Sequence, residues 1–246
     1  MTTAPVFLVD QLPAGDHAVL DGPEGRHAAT VRRLHPGEEL MLCDGRGAVA
    51  HCVIESADRR DALDLRLLRR WAEPPPQPRI VVAQALVKGD RGELAVELAT
   101  EAGADAIVPW QAARSVARWD DGPRGAKALA RWRSTVREAA KQSRRTWVPD
   151  VAEPVSTAGL ATLVRSSAAA FLLDSAAGAR LTDAELPPRG DLLIIVGPEG
   201  GISSAESTLL EQAGAQVVRL GPTVLRASTA GVVAVSAIGV LTQRWR

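Results

Sequence analysis

The stretch VGPEGG at 196–201, followed by LGPTVLRAST at 220–229, decides the reading of this chain. Each turn leaves a short apolar run of strand character and enters a helical pattern, so both are expected at the same edge of one sheet. Gly197, Gly200 and Gly201 let a ligand approach the main chain, while Pro198 stiffens the bend. Ser203 stands three residues before Glu206, the spacing of a capping box, so a helix over 203–213 starts here and Gly214 ends it. A capped strand-to-helix turn of this kind serves packing equally well. It lacks the Lys and Ser/Thr of a P-loop and the GxGxxG spacing of a dinucleotide site, which disfavours phosphate cradling.

The second turn changes the balance. Leu220-Gly221-Pro222 closes an apolar run at 216–220, and after Val224-Leu225-Arg226 comes a helix over 229–243 built largely from Ala, Gly, Val and Ser. Small residues let a helix pack close to other backbone. The run is too short and too dotted with Ser and Thr for a membrane span, so it reads as a buried helix. Two neighbouring backbone loops at one sheet edge make a ligand site.

Working outward, strand-like runs at 80–86, 106–109, 169–173, 192–196 and 216–220 alternate with helical patterns over 91–102, 124–145, 203–213 and 229–243. Such alternation implies an α/β domain with a mostly parallel sheet covered on both faces, its ligand at the carboxyl ends of the strands. Upstream, WAEPPPQP at 71–78 is a linker, since consecutive prolines favour an extended spacer. Before it, short runs at 6–9, 39–43, 48–54 and 63–68 alternate with Gly and Asp turns, as in a small β barrel, with a hairpin turn at 43–49. The expected division is 1–73, a linker at 74–78, and 79–246.

The 246 residues are 46% apolar with zero formal net charge, a composition that can bury a sizeable core. The N-terminus carries neither a basic leader nor a long apolar run, so the default expectation is a cytoplasmic protein without an anchor. Cys43 and Cys52 are the only cysteines and have no His at ligand spacing; they read as free thiols, with no metal site expected. His17, His27, His35 and His51 all lie far upstream of the glycine turns, which leaves the C-terminal part without a His-based relay.

Charge is unevenly spread. Residues 111–150 hold ten Lys or Arg against four acids, a net charge of +6, and with their edge carry Trp110, Trp119, Trp132 and Trp147. Basic residues interleaved with aromatics suit an RNA surface that tracks backbone and stacks bases. On the helix expected over 124–145, Arg133, Arg137, Lys141 and Arg144 recur as one basic stripe, with Leu129, Trp132, Val136 and Ala140 on a neighbouring core face. A solvated charged face is the alternative.

At these residues the chain resembles the RsmE-type 16S ribosomal RNA uridine-N3 methyltransferases of the SPOUT class. The likeness rests on GPEGG (197–201), LGPTVLR (220–226), QALVKGDRGELAVELATEAGADAIVPWQAARSV (84–116), REAAKQSRRTWVP (137–149) and GRHAATVRRLHPGEELMLCDGRG (25–47), in the family's order along nearly the whole chain. The resemblance implies a PUA-like β-barrel domain followed by a trefoil-knotted SPOUT domain. It also implies S-adenosyl-L-methionine as cofactor, 16S rRNA within the 30S subunit as substrate, and a homodimer paired through the small-residue helix. The residues it implies for the cofactor are Leu173, Asp174, Gly197, Glu199, Gly200, Gly201, Leu220, Gly221, Leu225 and Arg226. Arg226, Arg114 and Arg145 would steady the deprotonated uracil or grip the adjacent phosphate; Glu138 is either a catalytic carboxylate or a helix ion pair. Arg32, Arg33, Arg133, Arg137, Lys141 and Arg144 would bind RNA. The chain departs from the family at Thr223, where Arg is usual, at Ala227-Ser228-Thr229 in place of Thr-Glu-Thr, at Lys141 in place of Glu, and at Arg144 in place of Gly. Another SPOUT activity, on a ribose hydroxyl or a tRNA base, and a non-catalytic ribosome-assembly protein are the competing readings.

Overall fold

Alternation of buried and exposed residues builds the first of two sheets. A computed structural model describes residues 4–245, which group into one unit running to Pro75 that also holds Ala140–Val148, and a second holding Pro76–Ala139 and the chain from Pro149 on. In the first unit, β1 (Val6–Leu8), β2 (His17–Leu20), β3 (Glu39–Cys43), β4 (Ala48–Ser56) and β5 (Leu63–Ala72) form a sheet in the order β1-β3-β4-β5-β2. β1 runs parallel to β3 and the other pairs are antiparallel. Register shifts between β4 and β5 at His51/Cys52 and Ile54/Ser56 bend the ribbon, which curls over Phe7, Leu40, Leu42, Ile54, Leu63 and Leu65. The expected turn between β3 and β4 is held by Asp44, whose carboxylate accepts from the amides of Arg46 and Ala48 at 2.7 and 3.0 Å. Two elements there went unanticipated: β2, which is too short to show a period, and α1 (Gly22–Arg26), which continues into a wider helical turn at His27–Val31.

The second unit follows the α/β pattern. Its strands are β6 (Arg79–Ala85), β7 (Ala106–Trp110), β8 (Asp150–Val151), β9 (Ala169–Leu173), β10 (Asp191–Val196) and β11 (Gln216–Val218), in the order β11-β9-β10-β6-β7-β8 with every pair parallel. Its helices are α2 (Arg91–Glu101), α3 (Pro123–Gln142) as far as Ala139, α4 (Thr157–Ser166), α5 (Ser204–Gln212) and α6 (Ala227–Leu241). Val81, Ala83, Leu193 and Ile195 pack with Leu160, Val164 and Leu210 of α4 and α5. On the opposite face α6 crosses Val82, Gln84 and Val196, which lie 3.5–3.8 Å from where a Cβ on Gly231 would stand. Cover on both faces is why β6 and β10 read as continuous apolar runs.

Three expectations needed revision. α4 was missed because Ala, Gly and Thr dilute its period, although Ser156 caps it by accepting from the Gly159 amide at 3.2 Å. α6 begins at Ala227, two residues before the expected start. α3 ends at Gln142, short of the expected 145, because Arg144 turns into the left-handed region at φ 58°. The Arg145 amide then reaches back to Ala140 O at 2.8 Å and the Arg144 amide to Lys141 O at 3.1 Å. These are the two bonds of a Schellman motif, so Arg144 sits at the position that usually takes Gly and lies off the helical stripe. Among the described residues no helix is long and apolar enough to cross a membrane.

Candidate active site

Because β9, β10 and β11 are parallel, their carboxyl ends share one edge, and the loops leaving them enclose a cavity of about 580 Å³. Leu173 and Asp174 line it from the end of β9, and Gly197, Glu199 and Gly201 from the loop after β10. Leu220, Gly221, Leu225 and Arg226 line it from the loop after β11. The first turn of α6 closes one wall with Ala227, Ser228 and Ala230. A Cβ on Gly197 would stand 2.6 Å from Cγ1 of Ile202, so only glycine lets this loop fold onto Ile202.

Gly200 is the one expected cofactor residue that does not line the cavity. It faces Arg114: a Cβ there would stand 3.2 Å from both the Cβ and the carbonyl oxygen of Arg114, and Arg114 Nη1 donates to Gly200 O at 3.3 Å. Sequence reasoning missed Arg91, which lines the cavity from the start of α2 and lies 3.7 Å from Glu199 Oε1. The available signal was a third strand-to-helix junction, since β6 is the neighbour of β10 and releases its chain at the same edge. The cavity has a size usual for small-molecule pockets and combines main-chain groups with Arg91, Asp174, Glu199 and Arg226. It suits a mid-sized ligand carrying charges of both signs, as S-adenosylmethionine does.

The helix after the first loop begins as its sequence predicts. Ser203 Oγ accepts from the Glu206 amide, and the Glu206 side chain accepts from the Ser203 amide at 3.1 Å and the Ser203 hydroxyl at 2.7 Å. Glu206 is nevertheless buried at 6% exposure, and its other oxygen accepts from the Ala113 amide at 2.7 Å and from Thr157 Oγ1 at 2.9 Å. Burial disfavours its charge, but the bonds from Ser203, Ala113 and Thr157 outweigh that and hold the carboxyl below its ordinary range.

The basic residues are used less uniformly than their spacing implied. Arg114 and Arg118 are exposed on the loop after β7, where Arg118 Nη2 donates to Ala113 O at 3.0 Å. On α3, Arg137 and Glu138 are exposed, while Arg133 donates to Val151 O and pairs with Glu153 at 2.8 Å. Lys141 departs from an open stripe, because its ammonium pairs with Glu24 at 2.9 Å with side-chain exposures of only 12% and 17%. Arg32, Arg33 and Arg144 are exposed, Arg33 with φ 52°. Arg145 is half-buried, and neither it nor Glu138 lines the cavity. The tryptophans serve packing instead of an open stacking face. Trp110 and Trp132 are buried, Trp119 lies edge-on to Trp132 at 4.9 Å, and Trp147 Nε1 donates to Glu73 O at 3.1 Å.

A cavity walled by three loops at the carboxyl edge of a parallel sheet, in a chain that also carries a curled five-stranded unit, is the arrangement of an RNA methyltransferase with a PUA domain, and the family matches agree. Residues 73–239 match the family model for the RNA methyltransferase domain, and residues 20–68 match that for the RNA methyltransferase PUA domain. The chain belongs to the ribosomal RNA small subunit methyltransferase E family. It is 54% identical to the Mycobacterium tuberculosis protein of that name, over 98% of this chain and 94% of that protein. To the Bacillus subtilis protein it is 33% identical, over 92% of this chain and 91% of the relative. The crystal structure of the Neisseria gonorrhoeae protein bound to S-adenosyl methionine superposes with a TM-score of 0.85 at 26% identity, covering 98% of each chain.

Proposed function

We propose that this chain catalyses S-adenosylmethionine-dependent methylation of N3 of a specific uridine in 16S ribosomal RNA, acting in the cytoplasm on the 30S particle as a homodimer. The observation that carries this reading is the cavity bounded by the three loops after β9, β10 and β11, in a chain of this family. When bound, the cofactor supplies a methyl group on a sulfonium. The chain's own task is positioning, which alone accounts for much of the rate in such transfers. Main-chain groups of the loops at 173–174, 197–201 and 220–226 are assigned to the cofactor. Arg91 and Glu199 offer a guanidinium and a carboxylate to an amino-acid end of opposite charges.

Uracil N3 must shed its imide proton, and the charge spreads onto O2 and O4, where a cationic donor lowers the barrier. This role is assigned to Arg226 and Arg114, on the grounds that Arg226 lines the cavity and Arg114 bonds to the Gly200 carbonyl. Arg32, Arg33, Arg144 and Arg145 of the first unit, with Arg133 and Arg137 of α3, are assigned to RNA backbone. Val233, Val240, Leu241 and Trp245, exposed on and after α6, support a pairing face. The test is calorimetry with S-adenosylmethionine, together with mass spectrometry of 16S rRNA nucleosides from a deletion strain. Saturable binding and loss of 3-methyluridine are expected; an unchanged nucleoside profile would refute the assignment.

A further inference from the structure

Glu206 does more than cap α5. Capping occupies Oε2 alone, whereas Oε1 accepts from Ala113 and Thr157, residues on two other segments of the chain. Thr157 Oγ1 is itself fixed by Trp110 Nε1 at 3.2 Å. Ala113 immediately precedes Arg114, whose guanidinium bonds to Gly200 O and whose backbone packs against Gly200. The neighbours of Gly200, Glu199 and Gly201, line the cavity. One buried carboxylate therefore ties together the helix that follows the cofactor loop, the segment that carries Arg114, and the start of α4.

We infer that Glu206 is a positioning residue for methyl transfer: it holds the Arg114 segment in register with the cofactor loop, so that arginine and cavity work as one site. The inference rests on the role proposed above for Arg114. A carboxylate is needed because four donors converge on it, and two of them, the amides of Ala113 and Ser203, cannot reorient. Glutamine offers one acceptor oxygen and one NH2, so one fixed amide would face another donor. The Ser203 amide lies within the same turn as Glu206; Ala113, from a distant segment, is the one that separates.

The experiment compares the full-length wild type, Glu206→Gln, Arg114→Ala and the double variant. Readouts are S-adenosylmethionine affinity by calorimetry, turnover on 30S particles, and hydrogen exchange over 112–115. For Glu206→Gln, cofactor affinity should stay within about threefold of wild type, exchange over 112–115 should accelerate, and kcat should fall by about tenfold, a difference of roughly 1.4 kcal/mol. The double variant should be no slower than Arg114→Ala. Losses that multiply in the double variant, or unchanged exchange over 112–115, overturn the inference while leaving the Arg114 assignment standing. Full turnover by Arg114→Ala overturns both. Should Glu206→Gln not fold, Glu206→Asp keeps the charge but draws the carboxylate back from Ala113 and Thr157. Exchange over 112–115 should then accelerate and turnover fall with cofactor affinity retained, and undiminished turnover overturns the inference.

Discussion

Arg244 Nη1 lies 2.8 Å from Asp105 Oδ2, with the two side chains only 8% and 7% exposed. Arg244 also donates to the carbonyls of Pro78 and Gly103, and Asp105 accepts from the Ile80 amide at 2.9 Å. The segment after α6 is thereby clamped to the amino-terminal ends of β6 and β7, the edge of the sheet opposite the cavity. Removing one partner leaves a buried charge uncompensated, which costs about 3–5 kcal/mol. Arg244→Met should lower the unfolding free energy obtained from urea titration by an amount of that order, and the midpoint with it, while leaving S-adenosylmethionine affinity of the folded fraction unchanged. A midpoint equal to wild type would show that the pair adds nothing.

Arg144 is expected to trade stability for charge. A non-glycine residue in the left-handed region costs on the order of 1 kcal/mol, and the Schellman bonds around Arg144 remain available to glycine. Arg144→Gly should therefore raise the melting temperature by about 2–4 °C. It should also weaken RNA binding and flatten its salt dependence by about one charge. Calorimetry and binding titrations at several salt concentrations read the two effects separately; a lowered melting temperature would contradict the strain.

The thiols should be inert in the native state. Burial pushes Cys52 up to about 11, and burial likewise raises Cys43, so neither forms thiolate until pH passes well above neutral. Both side chains are inaccessible as well. At pH 8 a thiol reagent should find no reactive group in the folded protein and two after guanidinium. Rapid native labelling would place one of them at the surface.

What the sequence made legible follows from which interactions are local. The capping box at Ser203 and Glu206, the Asp44 turn, and the two-sided burial of β6 and β10 leave periodic or short-range marks. So did the two glycine turns, because parallel strands must release their chains at one edge. The rest depended on partners far away in the chain. Nothing near Lys141 announces Glu24, and nothing near Glu206 announces Ala113 or Thr157. An indole looks the same in sequence whether it stacks a base or fills a core, so counting Trp110 toward an RNA face misread it, whereas the helical period placed Trp132 on the core face where it lies. Helical period likewise runs on through Arg144 with no sign that its backbone changes hand.

Glu206 should also make the second unit acid-sensitive. Burial opposes its charge and the bonds from Ser203, Ala113 and Thr157 favour it, with a net lowering in the folded state. A carboxyl whose folded value is depressed adds stability above its unfolded value of about 4.3, and that stability is lost as pH falls through the folded value. Glu206→Gln has no such proton to take up. Its stability deficit relative to wild type should be constant from neutral pH down to about 5 and shrink below about 4. Urea titrations across that range would read it, and a deficit that grew on acidification would reverse the sign argued here.

Gly197 gives the most direct test of the loop that walls the cavity. The methyl of Gly197→Ala would stand 2.6 Å from Ile202 Cγ1 and 3.0 Å from its Cδ1, so the turn must open or Ile202 must leave its place in the wall. Either movement distorts the segment carrying Glu199 and Gly201, while the Ala113 and Thr157 bonds to Glu206 come from other segments of the chain. S-adenosylmethionine affinity should fall at least tenfold, about 1.4 kcal/mol, with a smaller change in the unfolding free energy read from urea titration. Wild-type affinity in a folded Gly197→Ala protein would mean that the loop after β10 does not enclose the cofactor.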